Sequence, residues 1–276
     1  TQQLEDYARF LKTISDSYIQ HCTSSLLALG FDLSLKDGFL FYRHDFQPPK
    51  LCYDICFIRH GQTEGNREPR VFQGKIDLPE NQLTMLGVKQ ADECATKLEK
   101  MISEGWNVNL IIVSPLKRAR DTAEPFIKRH SEIAIIIADG AAELGFGEWE
   151  NQMLVELPIF SFAHLMYMGS NALAKAEKPY SSHSFYIDGE NFIEALLRVN
   201  QLLMDINKHP EIITANKPKV VIYSHGMLGS ALLTLLGNAK QHPDGYICIG
   251  VGSDKIPHGV PMMMEAKISG KEDRID

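Results

Sequence analysis

Short, uniformly apolar runs recur along this chain, and each stops at a polar, glycine-bearing turn. Residues 53–59 (with Ile55-Cys56-Phe57-Ile58), 109–113 (Leu110-Ile111-Ile112-Val113), 133–138 (Ile133-Ala134-Ile135-Ile136-Ile137) and 219–224 (Val220-Val221-Ile222-Tyr223) are brief and rich in β-branched residues. That is the pattern of strands buried on both faces of a parallel sheet. Segments 246–251 and 261–267 read as two later strands. Between the runs the apolar period lengthens to three and four. Val88, Ala91, Ala95, Leu98 and Ile102 follow Thr84, an N-cap residue type. Phe192, Ala195, Leu196, Val199, Leu202, Leu203 and Ile206 form the stripe of a helix from about Glu190 to Lys208, and Met227 to Leu236 reads as a shorter apolar helix. Both long stripes are of a kind that packs into a core. Strands alternating with helices predict an α/β fold, a three-layer α/β/α sandwich with a mainly parallel sheet.

The first fifty residues break that alternation. Leu4, Tyr7, Leu11, Ile14 and Tyr18 predict one amphipathic helix, and Phe31 to Phe46 reads as a hairpin turning at Lys36-Asp37-Gly38. Pro48-Pro49 marks a linker. The chain therefore divides into an N-terminal helix and β-hairpin extension, 1–50, and a main domain, 51–276. The extension is either an added layer on the main domain or a homodimer surface, because its apolar steps resemble a short coiled-coil seam. It falls short of three heptads, which favours the added layer.

Chemistry is concentrated where the apolar runs end. The first gives way to Arg59-His60-Gly61-Gln62-Thr63-Glu64-Gly65-Asn66, and side chains at the carboxyl end of a parallel strand face the crevice that such sheets use for ligands. Arg59 offers a planar fork suited to phosphate oxygens, His60 a ring nitrogen able to attack phosphorus, and the glycines allow close approach. A second His-Gly, His225-Gly226, ends the 219–224 run. The 109–113 run leads into Ser114-Pro115, read as N-cap and first helical position, which puts Arg118 in the first helical turn, where free N–H groups favour an anion. Lys117 and Arg120 read as solvated helix positions. After the 133–138 run comes Glu143-Leu144-Gly145-Phe146-Gly147-Glu148-Trp149-Glu150. A carboxylate beside these glycines and the tryptophan can be held partly desolvated, which suits general acid work. Glu148 and Glu150 read as solvated turn residues.

These segments, in this order, resemble the histidine phosphatase superfamily, which includes cofactor-dependent phosphoglycerate mutases and the fructose-2,6-bisphosphatase domain. The resemblance runs from about Cys52 to Leu236 and takes in Phe72-Gln73-Gly74 and Leu83-Thr84-x-x-Gly87-x-x-Gln90-Ala91. It implies that His60 becomes phosphorylated, that Arg59, Arg118 and His225 hold the phosphoryl oxygens, and that Glu143 gives a proton to the leaving oxygen. Asn66, Gln73, Gly74 and Gly226 are expected on the substrate side. Arginines beside His60 disfavour its protonated form, and fixed donors suit the charge spread over a phosphoryl group in transit. No metal and no cofactor enters this scheme. The surroundings of the acid, Phe146 to Glu150, look more like the phosphatase branch, so hydrolysis of a small phosphorylated metabolite is expected. Phosphoglycerate mutase-type transfer and a non-catalytic binding scaffold are the other readings. Residues 152–188, with Phe160, Phe162, Tyr167 and the prolines Pro158 and Pro179, are expected by resemblance to form a lid, the other possibility being an ordinary pair of helices. His164 and His183 within it, and Arg67, Arg70 and Lys75 beside the nucleophile loop, are further candidates for ligand contact.

Composition narrows the partners. A formal charge of −7 over 276 residues argues against binding nucleic acid or an acidic membrane, since both draw on positive charge; an anionic substrate then needs a local basic pocket. Cys22, Cys52, Cys56, Cys94 and Cys248 include no C-x-x-C pair and are odd in number, as free thiols of a reducing compartment would be. The first residues carry neither the basic segment nor the apolar core of a secretory signal, and no apolar run approaches membrane-spanning length. A cytoplasmic enzyme is expected.

Overall fold

Elements of the computed structural model, which describes residues 2–157, 161–253 and 255–267, follow the predicted alternation. The order is α1 (Gln2–Thr13), α2 (Asp16–Ala28), β1 (Phe31–Leu33), β2 (Leu40–Tyr42), β3 (Asp54–Arg59), α3 (Met85–Ser103), β4 (Leu110–Val113), α4 (Lys117–Arg129) and β5 (Ala134–Ile137). There follow α5 (Phe162–Tyr167), β6 (Tyr180–Ser181), β7 (Tyr186–Ile187), α6 (Phe192–Asn207), α7 (Pro210–Ile213), β8 (Lys219–Ser224), α8 (Gly226–Leu235) and β9 (Met262–Met264). Among the described residues no helix is long and apolar enough to cross a membrane.

The central sheet has the order β5-β4-β8-β3-β9, with β3, β8, β4 and β5 parallel and β9 antiparallel to β3. Successive side chains of a strand point to opposite faces, and here both faces are covered. Ile55, Phe57, Leu110, Ile112, Val220 and Ile222 pack with α6, α8 and the N-terminal elements. Cys56, Ile58, Ile111, Val113, Val221 and Tyr223 pack against α3 and α4. That two-sided burial is why the strands are continuously apolar, and it makes the three layers.

Register brings the chemistry together. Arg59 of β3 lies opposite Ser224 of β8, so the residues that follow, His60 and His225, leave neighbouring strands side by side. The His60 amide bonds to the Ser224 carbonyl at 2.9 Å, and the Ser114 amide at the end of β4 bonds to the Tyr223 carbonyl at 3.0 Å.

Several expectations are corrected. The N-terminal helix is two helices, because Ser15 caps α2 through the Tyr18 amide and ends α1 two residues earlier. The seam splits with it: Tyr7 is buried, Leu11, Ile14 and Tyr18 are half-buried against the main core, and the side chain of Leu4 lies outside the described residues. The hairpin forms as β1 and β2. Segment 246–251 is not a strand. Ile247 and Ile249 are buried, but Gly250 at φ +59° turns the chain and the Ile247 amide bonds to the Leu40 carbonyl instead of a sheet ladder. The 261–267 strand shortens to Met262–Met264. On α3 the buried stripe is Gly87, Ala91, Cys94, Ala95 and Leu98, and Val88 is exposed. Pro158 and Phe160 lie outside the described residues.

Candidate active site

His60 sits at the end of β3 with only 3% of its surface exposed. Its Nδ1 lies 2.7 Å from the Gly61 carbonyl oxygen. A carbonyl only accepts, so Nδ1 carries the proton and Nε2 keeps its lone pair. Burial, and then the charge of Arg118 and the neighbouring His225, Arg59 and His258, hold the ring's pKa well below the ordinary histidine value. Neutral imidazole with a free Nε2 is the form that attacks phosphorus. Gly61 is required here: a Cβ would come within 2.5 Å of the Gly87 carbonyl oxygen. The Gly61 amide, in turn, donates to the Thr122 hydroxyl of α4 at 2.9 Å.

Around that ring stand donors without protein partners. His225 packs 5.2 Å from His60 between ring centroids, and its Nε2 is 2.7 Å from the Ser114 hydroxyl. Arg118 directs one terminal nitrogen to the Ile76 carbonyl (3.2 Å) and the other to the Gly74 carbonyl (2.6 Å). Arg59 donates to the Ile256 carbonyl at 3.0 Å. His225 Nδ1 and the Nε atoms of Arg59 and Arg118 are buried with no hydrogen-bond partner in the protein. Buried donors left unpaired are costly, about 1–3 kcal/mol each. Two such guanidinium donors, from Arg59 and Arg118, line one cavity, an arrangement suited to an anion.

Glu143 is 8% exposed and rests on the start of α8. Its Oε1 accepts the Leu228 and Leu144 amides, and its Oε2 accepts the Met227 amide at 3.1 Å. Asn66 Oδ1 accepts the Thr63 amide at 3.1 Å, which leaves the side-chain NH2 for a ligand. Gln73 Oε1 lies 2.6 Å from the Thr63 hydroxyl. A cavity of about 230 Å³ is lined by Arg59, His60, Asn66, Gln73, Gly74, Arg118, Glu143 and Gly226; the fully buried His225 is not on its wall but packs against the His60 ring. Sequence-nominated residues from β3, β8, α4 and two loops thus share one site.

Other nominations fall elsewhere. His164 and His183 do not line the cavity, nor does Lys75, which pairs with Glu190 at 3.4 Å. Arg67 pairs with Glu64 at the surface, while Arg70 does line the cavity. Helix α4 begins at Lys117, not at Pro115. The Lys117 amide is capped from a distance by the Asp77 carboxylate at 2.9 Å, and Ser114 serves the Leu116 amide and His225. Glu150, expected in solvent, is buried beneath Gly74.

The strap from Lys255 to Gly259, with Ser253, was not legible as part of the site. Ser253, Lys255 and Ile256 line the cavity. His258 Nδ1 donates to the His60 carbonyl at 2.8 Å, with burial pushing its pKa down to about 4. The Gly259 amide bonds to the Arg59 carbonyl at 2.9 Å. Only Pro257-His258-Gly259 hints at it locally; long-range pairing beside β3 brings it in. Tyr167, from α5, is another lining residue. Among the described residues no group of three or more His, Cys, Asp or Glu side chains is placed to hold a metal ion.

Comparison with known proteins points the same way. A model described as Histidine phosphatase superfamily (branch 1) matches residues 55–248. Mannitol-1-phosphatase of Eimeria tenella is 36% identical over 281 residues, covering 95% of this chain and 91% of that protein. Uncharacterized phosphatase PhoE of Bacillus subtilis (strain 168) is 34% identical over 102 residues, 37% of this chain and 48% of that protein. Among solved structures, mycobacterial glucosyl-3-phosphoglycerate phosphatase superposes with a TM-score of 0.51 at 25% identity, covering 67% of this chain and 81% of that one.

Proposed function

The chain belongs to the histidine phosphatase superfamily and is a phosphatase, and from that premise we propose that it hydrolyses a hexitol monophosphate such as mannitol 1-phosphate through a phosphohistidine at His60. The observation that carries the mechanism is the tautomer of His60, whose Nδ1–H is tied to the Gly61 carbonyl. Its Nε2 attacks phosphorus in line with the leaving oxygen. Arg59, Arg118 and the Nδ1–H of His225 receive the equatorial oxygens as charge builds on them. In this scheme Ser114 donates its hydroxyl hydrogen to His225 Nε2 across their 2.7 Å contact, which puts the ring proton on Nδ1. Glu143 gives its proton to the leaving alkoxide, and its carboxylate then takes a proton from the water that hydrolyses the phosphohistidine.

Substrate size is supported by the cavity, which at about 230 Å³ is smaller than the roughly 300–1,000 Å³ of sites for drug-sized ligands. Asn66, Arg70, Tyr167, Ser253 and Lys255 on its walls offer donors and acceptors to a chain of hydroxyls. The E. tenella relative, matched over nearly the whole chain, supports the hexitol. Free cysteines throughout support a reducing, cytoplasmic setting. The apolar side of α1 faces the core, which supports the extension as an added layer over a dimer surface.

Phosphate release from a panel of sugar-alcohol, sugar and acid monophosphates tests the proposal, with His60→Ala as control and 2-/3-phosphoglycerate interconversion assayed alongside. Mannitol 1-phosphate should be the fastest substrate, and the variant should lose at least ~10³-fold in kcat at unchanged thermal stability. Wild-type turnover in the variant would overturn the mechanism; a preferred substrate of another class would overturn the hexitol.

A further inference from the structure

Glu150 is 3% exposed and takes no part in the chemistry above. Its Oε1 accepts the Phe146 amide at 2.9 Å, from the loop that carries Glu143, and the Lys75 amide at 3.0 Å, from the loop that carries Gln73 and Gly74. The Ile76 amide closes the turn on the Gln73 carbonyl at 3.2 Å. The same 74–76 turn presents its carbonyls the other way, to Arg118: Gly74 at 2.6 Å and Ile76 at 3.2 Å. So a three-residue turn is held by its Lys75 amide to one buried carboxylate and by its Gly74 and Ile76 carbonyls to one buried guanidinium. Gly74 is what lets them approach, since a Cβ at this φ +43° position would fall 2.1 Å from Glu150 Oε1.

We propose that Glu150 is a positioning residue for the phosphoryl site: its carboxylate fixes the Gly74–Ile76 turn, and the turn seats the Arg118 guanidinium against His60. This rests on Arg118 being a phosphoryl ligand. The bonds from the amides are charge-assisted, and therefore stronger, only while the carboxyl is ionised. Burial pushes its pKa up to about 7, and its Oε2 is buried without a partner. Of the charged groups around it, Arg118 is shared with Glu143 and Asp77. The Lys75 ammonium turns to Glu190, which Arg198 also holds. Glu148, two residues away on the same loop, is half-buried. Deprotonation of Glu150 thus tightens the turn across the neutral range.

Glu150→Gln tests this, because the amide keeps an Oε1 acceptor and the shape but cannot ionise. The readout is the ratio of wild-type to variant kcat/KM on the best monoester between pH 5.5 and 8. Ionisation of the substrate itself, with a second pKa of about 6, affects both enzymes and cancels. The ratio should rise from near one at the acid end to about tenfold at the alkaline end, with the inhibition constant of orthophosphate rising in parallel. A ratio that is flat with pH, or tighter phosphate binding by the variant, would overturn the proposal. If the variant does not fold, infrared titration of the wild type must show a buried carboxyl losing its proton in step with kcat/KM; no such carboxyl sinks the idea. A wild type inert on every monoester fails the phosphatase reading and leaves wild-type phosphate affinity against pH as the readout for Glu150.

Discussion

His60 and Glu143 show how neighbouring atoms assign roles to side chains that sequence can only nominate. His60 has the form that the proposed nucleophile needs, because one ring nitrogen is spent on a carbonyl. Glu143 is aimed by three backbone amides, two of them from the first turn of α8. A carboxyl group so fixed in the cavity that His60 also lines should matter in proportion to how much the leaving oxygen needs a proton. Glu143→Gln is expected to slow alkyl phosphates by ~10²–10⁴-fold and nitrophenyl phosphate far less, read from kcat on matched substrates. Equal losses on both would remove Glu143 from the acid role.

Elements matter here through their ends. Strands β3, β4 and β8 are neighbours in the sheet, and their carboxyl ends deliver His60, Ser114 and His225 to one point. Helix α4 brings Arg118 there, its start held by Asp77 from another loop. The N-terminal helices contribute differently. Phe10 of α1 is buried and lies 4.4 Å, ring to ring, from Phe162 of α5, beside the helix that lends Tyr167 to the cavity. Phe10→Ala should therefore destabilise the monomer by roughly 3–5 kcal/mol in urea unfolding, without shifting its mass in solution. Dissociation of a dimer at unchanged monomer stability would instead make this face a subunit interface.

Across the whole molecule, the buried histidines tie stability to pH. His60, His225 and His258 all have pKa values lowered first by burial. Such groups contribute stability above their unfolded pKa of about 6.5 and lose it as pH falls, because the unfolded chain binds the protons that the folded chain refuses. Glu150 has the opposite sign: its raised pKa favours the folded state at low pH and loses that advantage as pH rises through about 7. Between pH 6 and 5 the three histidines outnumber the one carboxyl. Stability should then fall as pH is lowered through this range, measured by urea unfolding at several pH values. A level profile would mean that these rings are already solvated or paired in the folded state.

The apolar runs by themselves determined that there is a parallel, two-sided sheet, because a strand covered on both faces has to be continuously apolar. Motifs at the run ends likewise determined the family and its cluster of Arg59, His60, Arg118, Glu143 and His225, since each lies within a few residues of a strand terminus. Burial at Glu150, the strap that brings Lys255 and His258 to the site, and the non-local cap of α4 were decided only by tertiary structure. So was the fate of residues 246–251, apolar enough for a strand yet turned by Gly250 into packing against β2. In each case the deciding partner is far away in the chain: Gly74 above Glu150, Arg59 beside the strap, Asp77 at the head of α4. Local pattern records which residues must leave water; long-range contact decides what they meet when they do.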